Sequence, residues 1–285
     1  MSISASQVKE LREMSGVGMM ECKKALVETN GDLDKALDFL RANSSLKAEK
    51  KASRVAADGE VKVAESASYV SLIEINSETD FAAKDAKFKD FTNSVASYLA
   101  DSQVDSIEEL NTQFNEKRQT LIQSIGENIQ LRRLKTLQVP GNGSIGSYIH
   151  SDGRLAALVA IDTDNQELAK DLAMHVSATN PSCLNSTDLD PEVLDRERAI
   201  FLVQAQESGK DAAIMDKMVE GKVKRFLSEV TLVSQTFVKN PDLSIQQLLD
   251  ENNASIVDFV RFKVGEGIEV EVKDFAAEVA EQLKQ

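Results

Sequence analysis

The chain has no tryptophan, two cysteines, two histidines and four prolines in 285 residues. Each shortage narrows the chemistry. Cys22 and Cys183 stand far apart and form no CxxC pair, which fits a reducing compartment better than a disulfide framework. His150 and His175 have no second histidine or cysteine at metal-ligand spacing, so no metal site is expected. Long apolar runs are lacking as well. "LAALVAI", Leu155 to Ile161, is far shorter than the roughly 20 residues a bilayer span requires. The opening "MSISASQVKELRE" has no apolar stretch of the signal-peptide kind. A cytoplasmic protein with no membrane attachment is the expectation.

Positive charge is also scarce, and the formal net charge is −14. That sign repels phosphate backbones at long range. The one basic cluster, "KAEKKASR" with Lys47, Lys50, Lys51 and Arg54, contains no aromatic residue on which a base could stack. It reads as a solvated helix end or linker, and no direct nucleic-acid partner is expected. Catalytic motifs are missing too. Gly141, Gly143 and Gly146 satisfy GxGxxG in "GNGSIG". However, Pro140 precedes them and strand-like residues follow, where a dinucleotide site needs a strand before and a helix after. A turn leading into a hairpin is the better reading. No GxxxxGK[ST] phosphate loop and no GxSxG nucleophile elbow occurs. No cofactor and no covalent catalysis are expected.

What the chain does have is regular punctuation. Over residues 4–53, Ser4 or Ser6, the Gly16 to Gly18 turn, Gly31 and Asp32 delimit three short helices. Their apolar positions suit helices packed on one another. A weak internal repeat follows. "ADGEVKVAESASYVSLIEI" and "GNGSIGSYIHSDGRLAALVAI" each offer a strand, a break and a second strand, with a tight turn at Asp152-Gly153 in the latter. A helix follows each, and then a third strand, "NIQLRRLKTLQV" or "SIVDFVRFKV". Such short hairpin turns imply antiparallel sheets.

Pro140 falls between the two units, and Pro181, Pro191 and Pro241 bracket a long polar helical stretch. Asp190 as N-cap, Pro191 at the first helical position and a break at Gly209 make it an antiparallel helical hairpin inserted in the second unit. A final helix, "KDFAAEVAEQLKQ", places Phe275, Val279 and Leu283 on one face. The expected fold class is therefore α+β. Its parts are an N-terminal three-helix module (1–54), two related antiparallel-sheet units (55–140, and 141–179 with 229–263), the inserted hairpin (180–228) and a C-terminal helical part (264–285).

Two places invite a partner. "SGVGMMECKK" puts Met19 and Met20 after a glycine turn, where they either fill the module's core or offer an adaptable apolar surface. In "SETDFAAKDAKF", Thr79 or Asp80 can cap a helix whose inward stripe is Phe88, Phe91, Val95 and Leu99. Phe81 lies seven residues before Phe88 and can extend that stripe. Taken alone it reads first as a core residue, and second as an aromatic wedge projecting beside a carboxylate.

Five segments in order, "LREMSGVGMMECKKAL", "SETDFAAKDAKF", "IGENIQLRRL", "AMHVSATNP" and "VGEGIEVEVKDFAAEVA", resemble bacterial elongation factor Ts, the nucleotide exchange factor for elongation factor Tu. The likeness runs along essentially the whole chain. One departure is Ala82, where many members of that family carry valine. The resemblance implies an N-terminal module similar to a ubiquitin-associated fold, a two-part core, a coiled-coil insertion and a C-terminal helix. It further implies that Thr79, Asp80 and Phe81 form the motif that enters elongation factor Tu beside its Mg²⁺ and phosphate site.

By the same match, Lys9, Arg12, Val17, Met19 and Met20 are the module's partner contacts. Arg12 either makes a bidentate contact to a carboxylate or is simply solvated. Tyr148 with His150 is the weaker expectation for the second core part, and Phe275 with Val279 for the C-terminal helix. The expected partner is elongation factor Tu, GDP-bound and nucleotide-free, and a homodimer through the hairpin stays open. The competing expectations are an adaptor or holdase with a ubiquitin-associated-like head, and a metal-independent hydrolase.

Overall fold

The computed structural model describes residues 3–270. The expected C-terminal helix with Phe275 and Val279 lies outside them. The first three helices are α1 (Ala5–Ser15), α2 (Met19–Glu28) and α3 (Leu33–Lys51). Ser4 caps α1 through a capping box with Gln7, and Asp32 caps α3 by accepting from Lys35 N–H. Gly16 ends α1 in the left-handed conformation (φ 68°) that favours glycine. Val8, Leu11, Val17, Cys22, Ala25, Leu26, Ala36 and Leu40 close a small core among these helices.

Two three-stranded antiparallel sheets follow the same plan. One is β1 (Asp58–Glu65), β2 (Tyr69–Ser77) and β3 (Gln130–Gln138); the other is β4 (Ser144–Ile149), β5 (Leu155–Ile161) and β6 (Ile256–Lys263), each in sequential order with the second strand central. Successive side chains of a strand point to opposite faces. Both central strands are buried on both. Ile73 and Ile75 of β2 face a core with Phe88, Phe91, Val95 and Leu99 of α5 (Ala86–Asp101) and with α6 (Ile107–Gln113) and α7 (Asn115–Ile125).

Val70 and Leu72 turn the other way, to meet Ala156, Leu158 and Ala160 of β5 between the sheets. Ala157, Val159 and Ile161 face α8 (Gln166–Thr179) and, further on, α11 (Ile245–Glu251). Helices, sheet, sheet and helices thus stack in layers. This explains why "LAALVAI" is continuously apolar instead of alternating. Small residues on β5 let the layers approach. A Cβ on Gly146 of β4 would fall 2.0 Å from the backbone of Ala169, so only glycine fits beneath α8.

The polar insertion is a hairpin of α9 (Pro191–Glu207) and α10 (Ala212–Val230). Phe201 meets Phe226 edge-on at 6.4 Å, and Ser208, further along the chain than Phe201, meets Met218, which precedes Phe226, at 4.0 Å, so the two helices run antiparallel. Ser182 N–H donates to the Val230 carbonyl and Leu232 N–H to that of Cys183, which joins the two ends at the base. His175 is fully buried on α8. Its Nε2 pairs with Gln235 Oε1 at 2.9 Å and its Nδ1 accepts from Val238 N–H. It is a core histidine, as its apolar surroundings in sequence suggest.

Candidate functional site

The junction after β2 departs from the single helix that its apolar spacing suggests. Thr79 caps a short helix, α4 (Asp80–Lys84), which stops at Asp85 in extended conformation (φ −62°, ψ 138°). Asp85 then starts α5 by accepting from Lys87 N–H at 2.8 Å. The break takes Phe81 off the Phe88 stripe. Ala82 and Ala83 carry the burial of α4 instead, and Phe81 is 81 % exposed. The core reading of Phe81 is therefore replaced by a projecting ring.

The turn beneath that ring is braced from a distant loop. Thr79 donates to Glu127 through both its backbone N–H (3.0 Å) and its hydroxyl (2.7 Å), while the hydroxyl accepts from Ala82 N–H at 3.2 Å. Glu78 accepts from Asn128 N–H at 2.6 Å, and Asn128 Nδ2 donates to the carbonyls of Ala52 and Arg54. The end of α3, the start of α4 and the segment before β3 are thereby tied together. Asp80 is paired with Lys84 one turn on, at 2.6 Å. The hydrogen bond from the Lys84 ammonium holds the Asp80 carboxyl below its usual value. It is fully ionised at neutral pH beside the exposed ring.

The expected module residues separate into two groups. Lys9, Arg12, Met19 and Met20 are exposed, Met20 to 76 %, so the methionines do not fill the core. Lys9 pairs with Glu13. Val17 is buried in the three-helix core, where it shapes the turn that presents the methionines without itself offering a surface. Tyr148 on β4 is half-buried against the core under α8. His150 is exposed in the hairpin loop, with Nδ1 3.1 Å from Asp152. Asp152 in turn accepts from Arg154 N–H, which together with His150 holds its carboxyl low.

Sequence reasoning missed Glu127, Asn128 and Lys84 as supports of the junction. Glu127 and Asn128 lie within "IGENIQLRRL", but a contact across 48 residues leaves no periodic trace.

The family model described as Elongation factor TS matches residues 78–266, about two thirds of the chain. The chain belongs to the elongation factor Ts family. Elongation factor Ts of Hahella chejuensis is 50% identical over 286 residues, covering 99% of both chains. That of Saccharophagus degradans is 49% identical, over 99% of this chain and 98% of its own. The family-model match covers the second sheet, the hairpin, the turn at Thr79 and, of the first sheet, β3 alone, while these two relatives align along nearly the whole chain. Among the described residues no helix is long and apolar enough to cross a membrane, and no cluster of three metal-ligating side chains occurs.

Proposed function

We propose that this member of the elongation factor Ts family binds elongation factor Tu and catalyses exchange of its bound GDP for GTP in the cytoplasm, without covalent chemistry. One observation above all supports the proposal. Phe81 stands exposed on a turn fixed by Glu127, with an ionised Asp80 beside it. A rigid base lets the ring be driven into a partner with little further loss of conformational freedom. Burying a phenylalanine side chain contributes roughly 1.5–3 kcal/mol.

That energy becomes catalysis through linkage. A factor that binds the nucleotide-free form of its partner better than the GDP form weakens GDP binding by the same free energy. Each 1.4 kcal/mol or so of coupling is tenfold in affinity. Phe81 displaces a helix of the partner, and the charge of Asp80 disfavours the nearby phosphate and Mg²⁺ arrangement. No bond is made or broken, and incoming GTP reverses the sequence. In this proposal residues 1–54 form the ubiquitin-associated-like module that supplies Arg12, Met19 and Met20 as a second contact. The two sheets form the core, α9 and α10 a coiled-coil insertion, and residues 264–285 a further contact.

The test is release of a fluorescent GDP analogue from elongation factor Tu under excess unlabelled GDP. Catalytic amounts of the protein accelerate release in proportion to concentration if exchange is its function. Binding without acceleration would instead support an adaptor, a role to which the exposed Met14, Met19, Met20 and Val27 of the N-terminal helices are also suited.

A further inference from the structure

The N-terminal helices touch the rest of the protein in two separate places. The C-terminal part of α3 lies along α7, and Ala48 packs against the core beneath. The turn between α1 and α2 makes the other contact. There the carbonyl of Gly16 accepts from Lys87 Nζ at 2.8 Å and from Ser124 Oγ at 2.9 Å, and Lys87 also donates to Ser124. Lys87 lies in the first turn of α5 and Ser124 in the last turn of α7. Among the described residues these are the only hydrogen bonds from α1, α2 or their turn to anything beyond α3. Between the two contacts a cleft of about 650 Å³ is left open, lined by Arg41 and Ser44 on one side and by Asp90, Phe91, Thr120 and Leu121 on the other.

We propose that Lys87 and Ser124 form a latch on the Gly16 carbonyl that sets the angle between the N-terminal helices and the Phe81 turn, making Lys87 a positioning residue for exchange. This rests on the function proposed above. Position along the chain gives the latch its leverage. Gly16 is three residues before Met19, and Lys87 is six after Phe81, just past the break at Asp85. One bonded group therefore joins the two surfaces that would grip the partner. Its chemistry suits the task, because the ammonium sits at the C-terminal end of α1, where the helix dipole favours a cation. Without it, no hydrogen bond among the described residues holds the turn of α1 and α2 against pivoting about α3.

The experiment compares wild type, Lys87→Met, Ser124→Ala and Lys87→Arg. Cysteines introduced at exposed Glu28 and Asn93 carry spin labels, the native Cys22 and Cys183 being buried. Double electron–electron resonance gives the distance distribution between the labels, and unlabelled proteins are assayed for release of the fluorescent GDP analogue from elongation factor Tu. The latch predicts a broadened distribution and a three- to tenfold loss of exchange rate in Lys87→Met, a smaller effect of the same kind in Ser124→Ala, and wild-type behaviour in Lys87→Arg, which keeps the donors. An unchanged distribution in Lys87→Met overturns the proposal, whether or not the rate falls. A broadened distribution with an undiminished rate overturns its role in exchange. If wild type itself fails to accelerate release, the function proposed above fails, while the distance measurement still decides whether the latch exists.

Discussion

Replacing Glu74 by Gln removes the charge on which three segments of chain converge. Glu74 is fully buried in β2. Its oxygens accept from Arg132 Nη1 at 3.0 and 3.2 Å, from Arg133 Nε, from Asn76 Nδ2 at 3.0 Å and from Gly265 N–H at 2.8 Å. Arg132 and Arg133 come from β3, and Gly265 follows β6 in the other sheet. Breaking one side of a buried ion pair costs about 3–5 kcal/mol. The two arginine side chains keep 24 % and 29 % of their exposure, so solvent screens part of the loss, and about 2–4 kcal/mol is expected. Urea unfolding followed by circular dichroism should show the midpoint fall with its slope preserved.

The pH dependence gives a second check. Burial alone would raise the Glu74 carboxyl, but the bonds from Gly265 N–H, Arg133 and Asn76 outweigh it and hold the group below its usual value. A depressed carboxyl contributes its stability above the unfolded value of about 4.3 and loses it as pH falls through the folded value. The gap between wild type and Glu74→Gln should be constant near neutrality and close in acid below that value. A gap of less than about 1 kcal/mol at pH 7, or one that does not close, would refute the reasoning.

Two further outcomes are expected. Gly146→Ala should cost about 3 kcal/mol or more, because its Cβ would meet the Ala169 backbone and no side chain can move aside; a change within 1 kcal/mol in the same unfolding assay would contradict the tight seat of α8. Burial holds the His175 imidazole below its usual value against the Gln235 bond that raises it, so the unfolded chain binds the proton better. Stability should then be greatest above about pH 6.5 and decline as pH drops, with a shallower slope in His175→Gln; equal slopes would place the dependence elsewhere.

Much of the architecture was legible because it obeys local rules. The helix bounds at Ser4, Asp32, Asp190 and Pro191 follow capping chemistry, and the repeated strand-turn-strand pattern yields two sheets of one topology. The site was less legible. Phe81 sits at a spacing that fits the α5 stripe, and only the turn at Asp85 takes it off. At that turn Asp85 donates its N–H to the Ala82 carbonyl and its carboxylate accepts from Lys87 N–H, local bonds that a serviceable helical pattern hides. The braces from Glu127, the ion cluster at Glu74 and the Lys87 contact to Gly16 each join residues separated by 48 or more positions. Such contacts depend on how the layers stack, and no period in the sequence records them. Met19 and Met20 were ambiguous for another reason, since methionine suits a core and a surface alike.

The most direct measurement is the rate of GDP release from elongation factor Tu with catalytic amounts of wild type or Phe81→Ala, alongside the unfolding curve of each. Because Phe81 is exposed, its truncation should change stability by no more than about 0.5 kcal/mol. If the ring is the wedge, the variant loses tenfold or more in rate, the effect of removing a contact worth above about 1.4 kcal/mol. Equal rates for the two proteins at equal stability would contradict it.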